Sequence, residues 1–151
     1  MKMKNEISIE EVVNEWQEDS KIDEMNINLE ICKTPSLHSK YVNFYVYFKN
    51  LLSSYETSFY RLGNIKRKYY RGECTADELK KYGWSQFMGL KPSIGEMNAH
   101  LEYDLDLIKV KEKINEFKTS VSSVEYILKA ITYRDSSLKT LVDYNRFIAG
   151  G

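Results

Sequence analysis

The chain of 151 residues has a mass of 17.8 kDa, which fits one domain around one core and excludes a multidomain enzyme. Its 22 Lys and Arg cancel its 22 Asp and Glu. That balance argues against a uniformly basic nucleic-acid binder but leaves open where the charges sit. With a mean hydropathy of −0.51 and no stretch near the roughly 18–20 apolar residues a bilayer span needs, no membrane segment is expected.

The low Pro count of 2 and Gly count of 7 leave few breakers and predict an all-α chain of a single domain over 1–151. Twelve Tyr are more than a small core can supply with hydroxyl partners, so some rings are expected at surfaces or interfaces. The N-terminus, Met1-Lys2-Met3-Lys4-Asn5-Glu6, shows no apolar signal region. An acidic N-terminal helical segment is expected over 6–33. Ser8 and Glu11 form a capping box, and Ile9, Val12, Val13 and Trp16 share one face. From Glu6 to Glu30 nine carboxylates face one base, Lys21. They form either a solvated face or a surface for a basic partner, including another part of the same protein.

Thr34-Pro35-Ser36 marks the start of a long helix over 35–71. Leu37, Tyr41, Phe44, Phe48, Leu51 and Tyr55 alternate in 4-3 spacing, and Phe59, Leu62 and Tyr69 continue this coiled-coil-like stripe. An unbroken rod to Tyr70 would be about 54 Å long, against a radius of gyration of about 15 Å for a compact domain of this size. It must be covered by another chain or by a second long helix. Gly63 is the one point where it could kink.

Residues 72–92 hold three of the seven glycines and are expected to form a loop with one helical turn near 75–82, long enough to suggest a function. Ser93 and Glu96 supply a second capping box and open a long helical segment over 93–134. Within it Ile114, Phe117, Val121, Val124, Leu128 and Ile131 keep 3-4 spacing, a second heptad seam fit for oligomerisation. Arg134-Asp135-Ser136-Ser137 is expected to break the helix and cap a C-terminal helix over 137–148 that carries Leu138, Leu141, Val142 and Phe147.

Catalysis is poorly provisioned. His38 and His100 stand apart without ligand spacing, and Cys32 and Cys74 are distant and outside any CxxC, which suits a reducing, cytosolic compartment. Glu102, Asp104 and Asp106 lie two apart on a helix and diverge, so no metal or other cofactor is expected. No phosphate cradle or nucleophile elbow is present.

The basic run is the better candidate. Arg61, Lys66, Arg67, Lys68 and Arg71 carry five charges next to Tyr69 and Tyr70, with no carboxylate between Thr57 and Gly72. Cations for phosphates beside rings on which bases stack are what sequence-tolerant binding of a single strand requires. The bland alternative is that the run solvates a helix end and complements its dipole. One such patch predicts weak, salt-sensitive binding per chain, which several copies would convert to avidity.

Leu37-His38-Ser39-Lys40-Tyr41, Tyr69-Tyr70-Arg71-Gly72, Asp104-Leu105-Asp106-Leu107-Ile108-Lys109-Val110 and Phe147-Ile148-Ala149-Gly150, in this order after the acidic helix and Lys21-Ile22-Asp23, resemble the UvsY family of T-even-like bacteriophages. The resemblance implies a non-enzymatic recombination mediator in the host cell cytoplasm, assembled as a homo-oligomeric ring, a hexamer or heptamer. It implies binding to single-stranded DNA, displacement of the phage single-strand-binding protein and loading of the phage recombinase. It also implies that the C-terminal part serves oligomerisation. The family's Lys-x-Arg signature falls here on Asn64 and Lys66, so one cation is missing, and Arg67 and Lys68 are candidates to compensate. The competing expectations are a helical scaffold or adaptor without DNA binding, and a metal nuclease using Glu102 and Asp106.

Overall fold

The computed structural model describes residues 7–150, so the N-terminal Met1–Glu6 stretch and Gly151 lie outside the described residues. All the regular structure described is helical. Helix α1 is Ile9–Asp19, followed by a 3-10 turn at Glu24–Asn26, then α2 (Ile27–Tyr70), α3 (Ala76–Tyr82), α4 (Ile94–Glu102) and α5 (Leu105–Ile148). The residues group into two compact units rather than around one core, one made of residues 7–49 and 118–150, the other of Asn50–Phe117.

In the first unit the Ser8–Glu11 capping box starts α1 as expected, with Glu11 N donating to Ser8 Oγ and Ser8 N to Glu11 Oε2. Val12 of this helix is fully buried. Trp16 meets the edge of Tyr41 on α2, ring centroids 5.4 Å apart. Lys40 bridges Glu15 and Asp19 at 2.7 and 2.6 Å, and Tyr41 donates its hydroxyl to Asp19. The acidic segment therefore spends Glu11, Glu15 and Asp19 on its own fold, and what remains for a partner is a smaller set that includes the exposed Glu10 and Glu24.

Helix α2 begins eight residues before Pro35, not at it. Proline forfeits one backbone bond inside a helix. Here the extra turns are held from outside: Glu30 is buried and accepts from Lys33 and from the buried Arg134 of α5. That ion pair links residues 104 apart in sequence. It also explains why α5 runs through Arg134-Asp135-Ser136-Ser137 instead of breaking there. Arg134 points into the unit, Lys139 pairs with Asp135, and Ser137 Oγ and Thr140 Oγ1 donate back to the carbonyls of Tyr133 and Ser136. Serine hydroxyls that bond the preceding turn do not cap a new one.

In the second unit α2 passes Gly63 without a break and ends at Tyr70. The expected loop holds α3, opened by a Thr75–Glu78 capping box and closed by Gly83 in the left-handed region, φ 68°, where a side chain would be strained. Ser93 and Glu96 cap α4 as expected. The anticipated continuous segment is interrupted at Tyr103–Asp104. Asp104 Oδ1 accepts from the backbone N–H groups of Asp106 and Leu107, and so starts α5 afresh.

Every member of the first stripe is buried or half-buried, and in the second seam Ile114, Phe117, Val121, Val124 and Ile131 are buried and Leu128 half-buried. Tyr55 rests on Phe117, ring centroids 5.2 Å apart. The two seams are thus largely covered within the chain, which leaves the Ile114–Ile131 seam little free surface beyond Leu128 for contact with a second copy. Val124→Asp is accordingly expected to abolish the cooperative thermal transition followed by circular dichroism, since an unpaired buried charge costs several kcal/mol. A folded but dissociated Val124→Asp protein in light scattering would return the seam to the interface.

Candidate nucleic-acid interface

A helix turning 100° per residue divides the run Arg61–Arg71 into two sets. Lys66 stands four residues after Leu62 and three before Tyr69, on the apolar stripe, and is 5% exposed. Its ammonium lies 2.9 Å from Asp104 Oδ2 and 2.6 Å from Asp106 Oδ2. It also sits 4.0 Å from the centroid of the Trp84 ring, a cation–π contact sheltered from water. Lys68 is half-buried and clamped by both oxygens of Glu78, at 2.6 and 2.7 Å. Tyr69 packs on Trp84 and Phe87, and Tyr70 on Phe87 and His100. The Tyr70 hydroxyl donates to Asp104 at 2.7 Å. Burial, and then that carboxylate, push the phenol well above its usual value, so it stays neutral and a donor.

Four of the seven expected contact residues, Lys66, Lys68, Tyr69 and Tyr70, therefore hold the unit together. Arg61, Arg67 and Arg71 are exposed and have no carboxylate partner among the described residues. Asn64, on the same outer face, accepts from Arg67 Nη1 at 3.4 Å. Neither position of the family signature presents a free cation here: Asn64 has none and Lys66 is inside. Arg67 supplies the outward charge instead. Guanidinium groups suit this duty, since their fixed fork binds phosphate oxygens in pairs.

Residues 15–151 match the family described as "Recombination, repair and ssDNA binding protein UvsY". The chain belongs to the UvsY family. The fold is similar to crystal structures of the bacteriophage T4 recombination mediator protein UvsY. One, in lattice type II, has a TM-score of 0.80 and 24% identity and covers 95% of this chain and 99% of that one. Another, in lattice type IV, has a TM-score of 0.79 and 23% identity, covering 93% and 99%. No curated protein sequence gives a match. The family is described by recombination, repair and binding of single-stranded DNA, and the exposed arginines of this UvsY chain are groups of a chemistry that suits phosphate. Of the carboxylates considered for a metal, Asp104 is engaged as a helix cap and both Asp104 and Asp106 as partners of Lys66. Among the described residues no helix is long and apolar enough to cross a membrane.

Sequence reasoning missed Asp104, Glu78 and Trp84 as partners of the basic run. The apolar stripe carried a signal for one of them, because a lysine on that stripe needs an internal anion. Lys66→Ala, which strands the buried Asp104, is expected to lower stability by about 3–5 kcal/mol in urea denaturation, and Arg67→Ala by less than about 0.5 kcal/mol. Equal effects would place Lys66 at the surface. Burial raises the Asp104 pKa, but Lys66, Tyr70 and the Leu107 N–H outweigh it, and the net shift is below the ordinary value of 3.8. A carboxyl depressed on folding contributes stability that is complete above its unfolded value and is lost as pH falls through the folded one. Acid unfolding is therefore expected to set in below about pH 4, and to be less pH-dependent in Asp104→Asn.

Proposed function

We propose that this UvsY protein binds single-stranded DNA on the outer face of the α2 end, with Arg61, Arg67 and Arg71 on the phosphates, and that it acts as a recombination mediator in the host cytoplasm. In that role it helps displace the phage single-strand-binding protein and loads the phage recombinase onto the strand, without catalysis of its own. The observation that carries the reading is the coincidence of a family match over residues 15–151 with three exposed guanidinium groups left unpaired where the neighbouring cations are consumed.

Three charges bind weakly, and each neutralised phosphate makes binding more salt-sensitive. The reading therefore includes a homo-oligomeric ring, a hexamer or heptamer, in which linked weak sites gain avidity. Because the heptad seam is buried, the contact between copies falls on another surface. Tyr126, Tyr133 and Tyr144 stand on the face of α5 opposite the seam, and the helix ends in Phe147 and Ile148, all well exposed. Exposed rings in a row are the place to which the surplus tyrosines of the composition point.

In fluorescence anisotropy with oligo-dT, Arg67→Ala/Arg71→Ala is expected to weaken binding and to flatten the log–log salt slope by about 1.4, two contacts at about 0.7 each. Unchanged binding in that variant would overturn the site, and no binding of the wild type at low salt would favour the adaptor. Light scattering is expected to give several times 17.8 kDa, and Tyr126→Asp/Tyr133→Asp to reduce that mass while leaving the helical content intact. A wild-type monomer would overturn the ring.

A further inference from the structure

The glycine-rich loop after α2 builds a feature that the arginine face does not use. Gly83 reverses the chain after α3, and Trp84 N donates to Leu79 O at 2.9 Å, which folds the indole back under the helix. Tyr82 lies nearly parallel on the indole, with centroids 4.6 Å apart and planes inclined by 16°. The Lys66 ammonium sits over the same indole at 4.0 Å. Lys66 and Tyr82 are thus joined through the indole of Trp84 into one column of contacts.

The inner end of the column is fixed by the aspartates on Lys66. Its outer end is accessible: Tyr82 is 40% exposed, and besides Trp84 the ammonium on the flexible stem of Lys81 lies over the ring, 5.5 Å from its centroid. Lys80 and Lys81 directly precede Tyr82 in sequence, both exposed and without a carboxylate partner among the described residues. Helix α3 is moored beside α2 by the clamp of Glu78 on Lys68, the neighbour of Arg67. Glu78 and Lys81, one turn apart, share a face of α3, so the lysine side of α3 adjoins the end of the arginine run.

We propose that Tyr82 is a stacking platform for an unpaired nucleobase, and that Lys80 and Lys81 take the flanking phosphates, so that the strand continues from Arg67 and Arg71 onto α3. This rests on the single-strand reading above and names a further part of its site. The chemistry selects a nucleic acid: a ring whose outer face carries a displaceable ammonium accepts any base, and nearby cations match a backbone that carries one charge per nucleotide. A double helix, with its bases already stacked on one another, offers no free face for the column to extend.

The test compares oligo-dT with an abasic deoxyribose-phosphate oligomer of the same length, in anisotropy titrations over a series of salt concentrations. Tyr82→Ala is expected to weaken dT binding roughly five- to one-hundred-fold, the value of one stacked base, without altering the salt slope or the affinity for the abasic strand. Tyr82→Phe is expected to bind like the wild type. Lys80→Ala/Lys81→Ala is expected to flatten the salt slope by about 1.4 for both strands. Full dT affinity in Tyr82→Ala, or an equal loss on dT and abasic strands, would overturn the platform and leave the arginine face standing. Failure of the wild type to bind dT at low salt would overturn the single-strand reading itself.

Discussion

The second unit depends on a single carboxylate. Asp104 is nearly fully buried, and both of its oxygens are fully used. Oδ1 accepts the first free N–H groups of α5, and Oδ2 accepts from the Lys66 ammonium and the Tyr70 hydroxyl at the end of α2. A buried anion is tolerable only when its acceptors are matched in this way, and its partner cation likewise. The ammonium so fixed then holds the indole of Trp84, and through it Tyr82 and the fold of the glycine-rich loop. One ion pair thus sets where α2 ends, where α5 begins and how the intervening chain is folded back.

The same pair explains why a dense basic run yields a sparse basic surface. A helix cannot turn five cations to one side when three are consecutive in sequence. Lys66 falls inward and is neutralised, Lys68 shares the outer side but is clamped by Glu78 of α3, and the arginines at 61, 67 and 71 are left outside. A charge count along the chain treats these residues alike. Their free energies differ, because a charge sheltered from water is worth several times an exposed one to stability and nothing to a ligand it cannot reach.

What was legible in the sequence was what is decided locally. The Ser8–Glu11 and Ser93–Glu96 boxes need only four residues, and the two 4-3 stripes need only a helical period, so both caps and the burial of both stripes could be read directly. The helix limits that went astray are those set at long range. Pro35 and Ser136-Ser137 carry the local marks of a helix start, yet the Glu30–Arg134 pair holds α2 and α5 helical through both. The heptad seam was visible, but not whether its cover comes from the same chain or another, since periodicity describes a face and not its occupant. Of the candidate site, the basic run was legible as a cluster of charges, but not which of its cations face outward. The inward turn of Lys66 could have been inferred from its place between Leu62 and Tyr69.

The zero net charge is better understood as a sorting of charges than as their absence. Glu15 and Asp19 of α1, Glu78 of α3, and Asp104 and Asp106 at the start of α5 are paired with Lys40, Lys68 and Lys66, in contacts that serve the fold. An ammonium on a flexible stem can be placed wherever a carboxylate needs it, while the guanidinium is the better ligand for phosphate. In these contacts the cation is lysine, while Arg61, Arg67 and Arg71 face outward and Arg134 is needed for Glu30. A protomer sorted in this way has no surplus charge to attract nucleic acid at a distance, and its few exposed guanidinium groups act only at contact. If the strand is held as proposed, its affinity comes from the number of contacts made at once, and a neutral chain with a small cationic face suits work as one of several linked copies.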